Sequence, residues 1–184
     1  MYTIIKQIGN EGKEGKTFLV KDRKGNEYAM KTFKKTKSPK KLFIEYLLQK
    51  RAAEAGIAPK VYDYDLTEKW ILMEKMDKHL LDVIVHKKCL SENHQRQIYH
   101  LFNKLDDIGV FHNDANICNY MLKGNRIYLI DYGYAKDIDN KLIKQYNTDK
   151  LNTKLMLAGF MLKLQELNFP IQTCTYFLNK MIVI

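Results

Sequence analysis

Apolar and polar positions change period several times along the chain, and each change marks an element. Tyr2 to Ile8 alternates weakly, as a strand does. Three evenly spaced glycines, Gly9, Gly12 and Gly15, separate it from a second apolar run, Phe18-Leu19-Val20. Arg23-Lys24-Gly25-Asn26 is a turn signal, and Glu27 to Phe33 reads as a strand with Lys31 near its end. A basic run from Lys34 to Lys41 then enters a helix, with Ser38 as N-cap and Pro39 at the first helical position. Leu42, Phe43, Tyr46, Leu47, Gln49 and Ala53 recur at helical spacing up to Gly56 and predict its buried face. Pro59 to Leu66 and Trp70 to Glu74 predict a strand pair.

The second half reads as mostly helical. His79 to His86 predicts a short helix. Ser91 caps the next, which carries Ile98, Leu101, Phe102, Leu105 and Ile108 on one face and stops at Gly109. Val110 to Leu122 is a polar loop ending in a short strand, and Ile127 to Ile130 is a further strand. A helical turn is expected within Asp137 to Gln145. Asp149 to Leu167 predicts a longer helix through Leu151, Leu155, Ala158, Gly159 and Leu162, and Pro170 opens a last one, Ile171 to Lys180. The apolar tail Met181-Ile182-Val183-Ile184 is expected to pack.

Composition narrows the class. The chain has 184 residues, 46% hydrophobic and 28% charged, with 3 prolines and 9 glycines, so a folded core without long disordered linkers is expected. A formal charge of +10 draws nucleotide phosphates, acidic proteins or nucleic acid, and lysine on helix faces supplies part of it. Nucleic acid is kept as a possible partner but not favoured. Cys89, Cys118 and Cys174 lie far apart with no C-x-x-C spacing, which suits reduced thiols in a cytoplasmic compartment. No apolar run approaches a membrane span, and the first residues lack the apolar core of a signal peptide. The five histidines are scattered, which disfavours structural zinc, and Cys118 has no glycine-flanked elbow of the kind a thiol nucleophile needs.

One constellation remains. Within Val110 to Leu122, Asp114 is followed after four residues by Asn119, and Asp131-Tyr132-Gly133 comes after the next strand. His112-Asn113-Asp114 with Asn119, and Asp131-Tyr132-Gly133, resemble the HRD-x4-N and DFG motifs of the protein-kinase superfamily. Upstream, Tyr28-Ala29-Met30-Lys31 is similar to the family's V-A-I-K, and the glycines resemble its glycine-rich loop with one extra residue between Gly9 and Gly12. The resemblance covers residues 4 to 165. It implies an α+β, protein-kinase-like two-lobed fold: a small β-rich N-lobe over about 1–74, a hinge over about 75–78, and a truncated helical C-lobe over about 79–184. It also implies ATP and magnesium as cofactors. Asp114 would orient the acceptor hydroxyl and take its proton, and Asn119 and Asp131 would hold the metal. Lys31 would reach the phosphates and Glu45, mid-helix, would pair with it; Glu54 lies too near the helix end. Gly9, Gly12 and Gly15 would lie over the phosphates. Ala29, Met73 as gatekeeper, Met121, and backbone groups of Glu74 and Met76 would receive adenine.

The departures select a branch. Asn113 replaces the motif arginine, and Asn116 stands where Ser/Thr protein kinases carry lysine. The fifteen residues between Gly133 and Asp149 hold no A-P-E and are too few for an ordinary activation segment. Such a chain resembles the minimal atypical kinases: RIO kinases, the small kinase of the tRNA threonylcarbamoylation complex, and short effector or viral kinases. The implied function is Ser/Thr protein phosphorylation, including its own. A small-molecule or sugar kinase and a pseudokinase-type binding module stay open. The branch implies a protein substrate or activating partner, acidic by charge complementarity, and a cytoplasmic setting, which is host cytosol for an effector or viral protein. Substrate, partner and oligomeric state stay open.

Overall fold

The computed structural model describes residues 2–9 and 11–182. They form two compact units, Met1–Met76 and Asp77–Ile184. The architecture is α+β, a small kinase-like arrangement with a β-sheet unit followed by a helical one.

The first unit contains β1 (Thr3–Ile8), β2 (Gly15–Lys21), β3 (Glu27–Phe33), α1 (Pro39–Glu54), β4 (Val61–Asp65) and β5 (Trp70–Glu74). Its sheet is antiparallel in the order β1-β2-β3-β5-β4. Asp22 organises the turn into β3, accepting from the N–H groups of Lys24 and Asn26. Strand alternation sends Tyr28 and Met30 to one face, where Val20, Met30 and Leu72 pack with Phe18 and Trp70. It sends Ala29, Lys31 and Phe33 to the other, where Ala29 and Phe33 join Leu42, Ile71 and Met73. Period two therefore fixes Lys31 on the face that receives Leu42 of α1.

Helix α1 starts as its caps require: the Ser38 hydroxyl accepts from the Lys41 N–H and Pro39 opens the first turn. Its buried face differs from the expected one. Leu42, Glu45, Leu48, Gln49 and Ala52 are buried, whereas Phe43, Ile44 and Leu47 are 37%, 42% and 42% exposed. Leu42 and Gln49 of the expected face are buried, but the stripe between them carries the carboxylate of Glu45, which apolar counting passes over. Phe43 instead joins a surface aromatic group, 6.0 Å from Tyr46 and 5.9 Å from Tyr64.

The second unit contains β6 (Lys78–His79), α2 (Leu80–Lys87), α3 (Glu92–Asp107), β7 (Val110–Phe111), β8 (Tyr120–Lys123), β9 (Arg126–Leu129), β10 (Lys136–Asp137), α4 (Asn140–Tyr146), α5 (Leu157–Glu166) and α6 (Thr175–Ile182). Ser91 caps α3, and Ile98, Leu101, Phe102 and Leu105 are buried as expected. A chain of edge-to-face rings runs Phe102–Tyr120–Phe160–Phe177, with centroids 6.3, 4.9 and 6.0 Å apart, and builds the core. Strands β6, β8 and β9 form a small sheet, and β7 pairs with β10. Residues after Gly133 are thus folded into β10 and α4 rather than left as a long segment.

A single π-helical turn, Asn152–Met156, precedes α5. It displaces the expected face: Asn152, Thr153, Met156, Phe160 and Leu164 are buried, and Leu155 and Leu162 are 36% and 60% exposed. At the C-terminus, Met181 is 42% exposed rather than packed, and Val183 and Ile184 lie outside the described residues. Among the described residues no helix is long and apolar enough to cross a membrane.

Candidate active site

In the first unit, the Lys31 ammonium lies 2.7 Å from Oε1 of Glu45. Glu45 is 1% exposed, and the expected ion pair is formed. Glu54 is exposed at the helix end. The second oxygen of Glu45 is 2.7 Å from Lys37, a residue the sequence did not single out, and Lys37 also lies 2.6 Å from Glu14. Both ammonium groups sit over the Phe33 ring, 5.1 Å and 5.0 Å from its centroid. A buried carboxylate is tolerated here because a cation meets each of its oxygens.

Ala29 faces Met73 across the β3–β5 ladder, and both are buried. The Gln49 amide donates to the Met73 sulfur at 3.4 Å, which fixes that side chain. The Glu74 N–H donates to the Lys60 carbonyl at 2.8 Å. Met76 is buried. Of the three glycines, Gly9 has φ +72° and open space around it. Gly15 is fixed by sheet geometry: a Cβ there would stand 1.9 Å from the Thr32 carbonyl oxygen. Asn10 lies outside the described residues.

In the second unit, the Asp114 carboxylate accepts from the Asn116 N–H at 3.0 Å and from the Asn119 amide at 2.9 Å. A carboxylate only accepts, so the NH2 of Asn119 faces Asp114 and its Oδ1 is the oxygen available to a cation. Asn116, in the position of the motif lysine, caps a short 3-10 turn by accepting from the Cys118 N–H. Asn119 is 5% exposed and is anchored through its carbonyl, which accepts from the Ile130 N–H at 2.9 Å. The next residue, Asp131, has φ +64° and accepts from the Gly133 N–H. An amide oxygen and a carboxylate are the hard donors magnesium takes, so the residues present fit that ion. Met121, on β8, is half-buried and opposite His79.

His112 is fully buried, with Nδ1 3.1 Å from the Asp114 carbonyl and Nε2 3.0 Å from the Ile130 carbonyl. Burial pulls its pKa down, against the carbonyl of Ile130 and the carboxylates of Asp114 and Asp131. A neutral imidazole donates to just one of the two carbonyls, and desolvation favours that form. Asn113 adopts φ +61° and donates to the Tyr134 carbonyl at 3.3 Å. The ring of Tyr132 stands edge-on to His112, and burial raises its phenol pKa. The Tyr120 and Tyr132 hydroxyls have no hydrogen-bond partner among the described residues.

Three supports of this loop escaped the sequence. Asn152 donates to the Val110 carbonyl at 2.7 Å and accepts from the His112 N–H at 3.0 Å. Behind it, Asp106 accepts from the Asn152 N–H and amide, both at 2.8 Å, and from Thr153. Gly159 lies against the loop: a Cβ there would be 2.8 Å from that of Ala115. The available signal was polar residues at core positions of two helical patterns, which apolar counting passes over.

No protein-family model matches the chain. It is similar to a "probable bifunctional tRNA threonylcarbamoyladenosine biosynthesis protein" of Methanosarcina mazei, 30% identical over 125 residues, which are 68% of this chain and 22% of that protein. A "KEOPS complex subunit Bud32" of Pyrococcus abyssi is 26% identical over 121 residues, 64% of this chain and 55% of that one. A "probable serine/threonine-protein kinase BUD32 homolog" of Archaeoglobus fulgidus is 27% identical over 124 residues, 67% and 60% of the two chains. The chain thus spans less than two thirds of each of these relatives. Fold and relatives agree on a protein-kinase-like chain of the minimal, atypical branch.

Proposed function

We propose that the chain is an ATP- and magnesium-dependent phosphotransferase that phosphorylates Ser/Thr hydroxyls of protein, its own included. The observation that carries the reading is the Lys31–Glu45 pair, formed at 2.7 Å on a buried carboxylate. In this reading Lys31, kept in place by Glu45, binds the α- and β-phosphates, and the glycine segment lies over them. Ala29, Met73, Met121 and the backbone of Glu74 and Met76 receive adenine. Asn119 and Asp131 hold magnesium, which when bound neutralises phosphate charge. Asp114 orients the acceptor hydroxyl and takes its proton as the oxygen–phosphorus bond forms and ADP departs. Its two accepted hydrogen bonds keep the carboxylate oriented for that task.

A second reading is favoured by one relative's name, that of a complex subunit. There the chain binds or hydrolyses ATP as part of an assembly, and a protein partner sets its activity. The charge of +10 suits an acidic partner, in a cytoplasmic setting. Nucleic acid, the kind of molecule the Methanosarcina relative is named for modifying, remains the less favoured partner. Incubation with γ-labelled ATP and magnesium separates the readings. Label on Ser/Thr supports the first and label in free phosphate alone the second. Label on neither, together with no rise in melting temperature on adding Mg-ATP, contradicts both.

A further inference from the structure

Lys37 sits in a run of lysines, and composition gives it no distinction from Lys34, Lys35, Lys40 or Lys41. Its surroundings do. It is 7% exposed, between Glu14 of the glycine segment and Glu45 of α1, with the Phe33 ring beneath it. Glu14 is held twice. Its carboxylate meets Lys37 at 2.6 Å, and its carbonyl accepts from the Lys34 N–H at 2.8 Å. The Gly12 N–H donates to the Gly15 carbonyl at 2.9 Å, which closes the segment into a turn. From the other side Lys69 donates to the carbonyls of Lys35 and Lys37 and steadies the loop that presents Lys37. The Gly12–Gly15 part of the glycine segment is therefore tied to the end of β3 and, through one ammonium group, to the carboxylate that also holds Lys31.

We infer that Lys37 is a positioning residue for nucleotide phosphates: a latch that sets the glycine segment and Lys31 in one arrangement before nucleotide arrives. This rests on the nucleotide reading above. Its physical basis is preorganisation. A flexible glycine loop loses conformational freedom when it closes on phosphates, and a loop already fixed by a partly buried ion pair loses less. Glu45 is the junction, because one of its oxygens serves Lys31 and the other serves Lys37.

The test uses Glu14→Gln, Lys37→Met and the double variant. Glu14→Gln removes one ion pair at a partly exposed carboxylate and leaves Lys37 paired with Glu45, so it keeps the fold. Two readouts are taken: amide exchange at Gly12 and Lys34 without nucleotide, and the dissociation constants of Mg-ATP and of adenosine. Glu14→Gln is expected to speed exchange at both amides and to weaken Mg-ATP about tenfold while adenosine stays within about twofold. The double variant is expected to be no weaker than Lys37→Met, since both break one latch. Unchanged exchange, or Mg-ATP and adenosine weakened equally, overturns the inference; the latter is what a merely structural role would give. If the unaltered protein binds no nucleotide, the nucleotide reading fails, and with it the role of the latch; the exchange arm then separately decides whether Lys37 tethers the segment.

Discussion

Replacing Asn152 with Ala removes the side chain that joins Asp106 to the loop carrying Asp114. The backbone donors to Asp106 from Asn152 and Thr153 stay, so the carboxylate loses one of its four hydrogen bonds. The Val110 carbonyl and the His112 N–H each lose the bond that Asn152 makes to them. A lost bond to a charged group is worth about 1.5–3 kcal/mol, and each buried group left without a partner about 1–3 kcal/mol. Relaxation absorbs part of that sum, and roughly 3–5 kcal/mol is the expected loss. For a chain of this length that lowers the melting temperature by roughly 10 °C. The sole tryptophan, Trp70, lies in the first unit and gives no local readout of the loop. Urea unfolding followed by circular dichroism, with amide exchange at Val110 to Asn119, reports the change. A loss below about 1 kcal/mol, with exchange in the loop unchanged, would refute the claim that Asn152 supports the loop.

Gly15→Ala should destabilise the first unit by roughly 1–3 kcal/mol, because its Cβ meets strand backbone; Gly12→Ala, whose Cβ would meet just the Gly15 carbonyl at 3.6 Å, should be nearly neutral. Equal Trp70 unfolding midpoints for the two variants would contradict this. Tyr132→Phe should hold or raise stability by about 1 kcal/mol, since it deletes a buried hydroxyl with no partner among the described residues and keeps the ring on His112. A clear loss in thermal melting would show that the hydroxyl is bonded. His112, with its folded pKa below the unfolded value of about 6.5, takes up protons on unfolding, so its stabilising contribution is complete above about pH 6.5 and falls as pH drops toward the folded pKa. Ring nitrogen shifts that place the His112 midpoint below that of the unfolded chain would agree, and a midpoint above it would reverse the sign.

Much of the candidate site was legible in the sequence because its residues sit at positions set by local geometry. Lys31 is at a strand end and shares a face with Ala29 and Phe33 by period two. Glu45 is mid-helix, and Asp114 and Asn119 are separated by one tight turn. What was not legible lies where burial and polarity part company. Helix α1 buries Glu45 and exposes Phe43 and Leu47, so the expected stripe was right at Leu42 and Gln49 and wrong between them. The π turn before α5 breaks the 3.6 period and brings Asn152 and Thr153, adjacent in sequence, onto the same carboxylate. Lys37 is chemically like its neighbours, and its burial depends on Glu14, twenty-three residues earlier. Gly15 looked like a phosphate-loop glycine, and its lack of a side chain is required by Thr32 on the adjacent strand.

The central claim, that the chain transfers the γ-phosphoryl group of ATP to a hydroxyl with Asp114 taking its proton, is tested most directly with Asp114→Asn. Mg-ATP affinity and label transfer from γ-labelled ATP are measured on the same samples of variant and unaltered protein. The amide keeps the size of the side chain and its capacity to accept from Asn116, and it loses the negative charge, most of the basicity and the acceptor that faces the Asn119 NH2. Mg-ATP affinity within about threefold of the unaltered protein, with transfer reduced by about a hundredfold or more, is the predicted result. Transfer by Asp114→Asn at the unaltered rate would contradict the account.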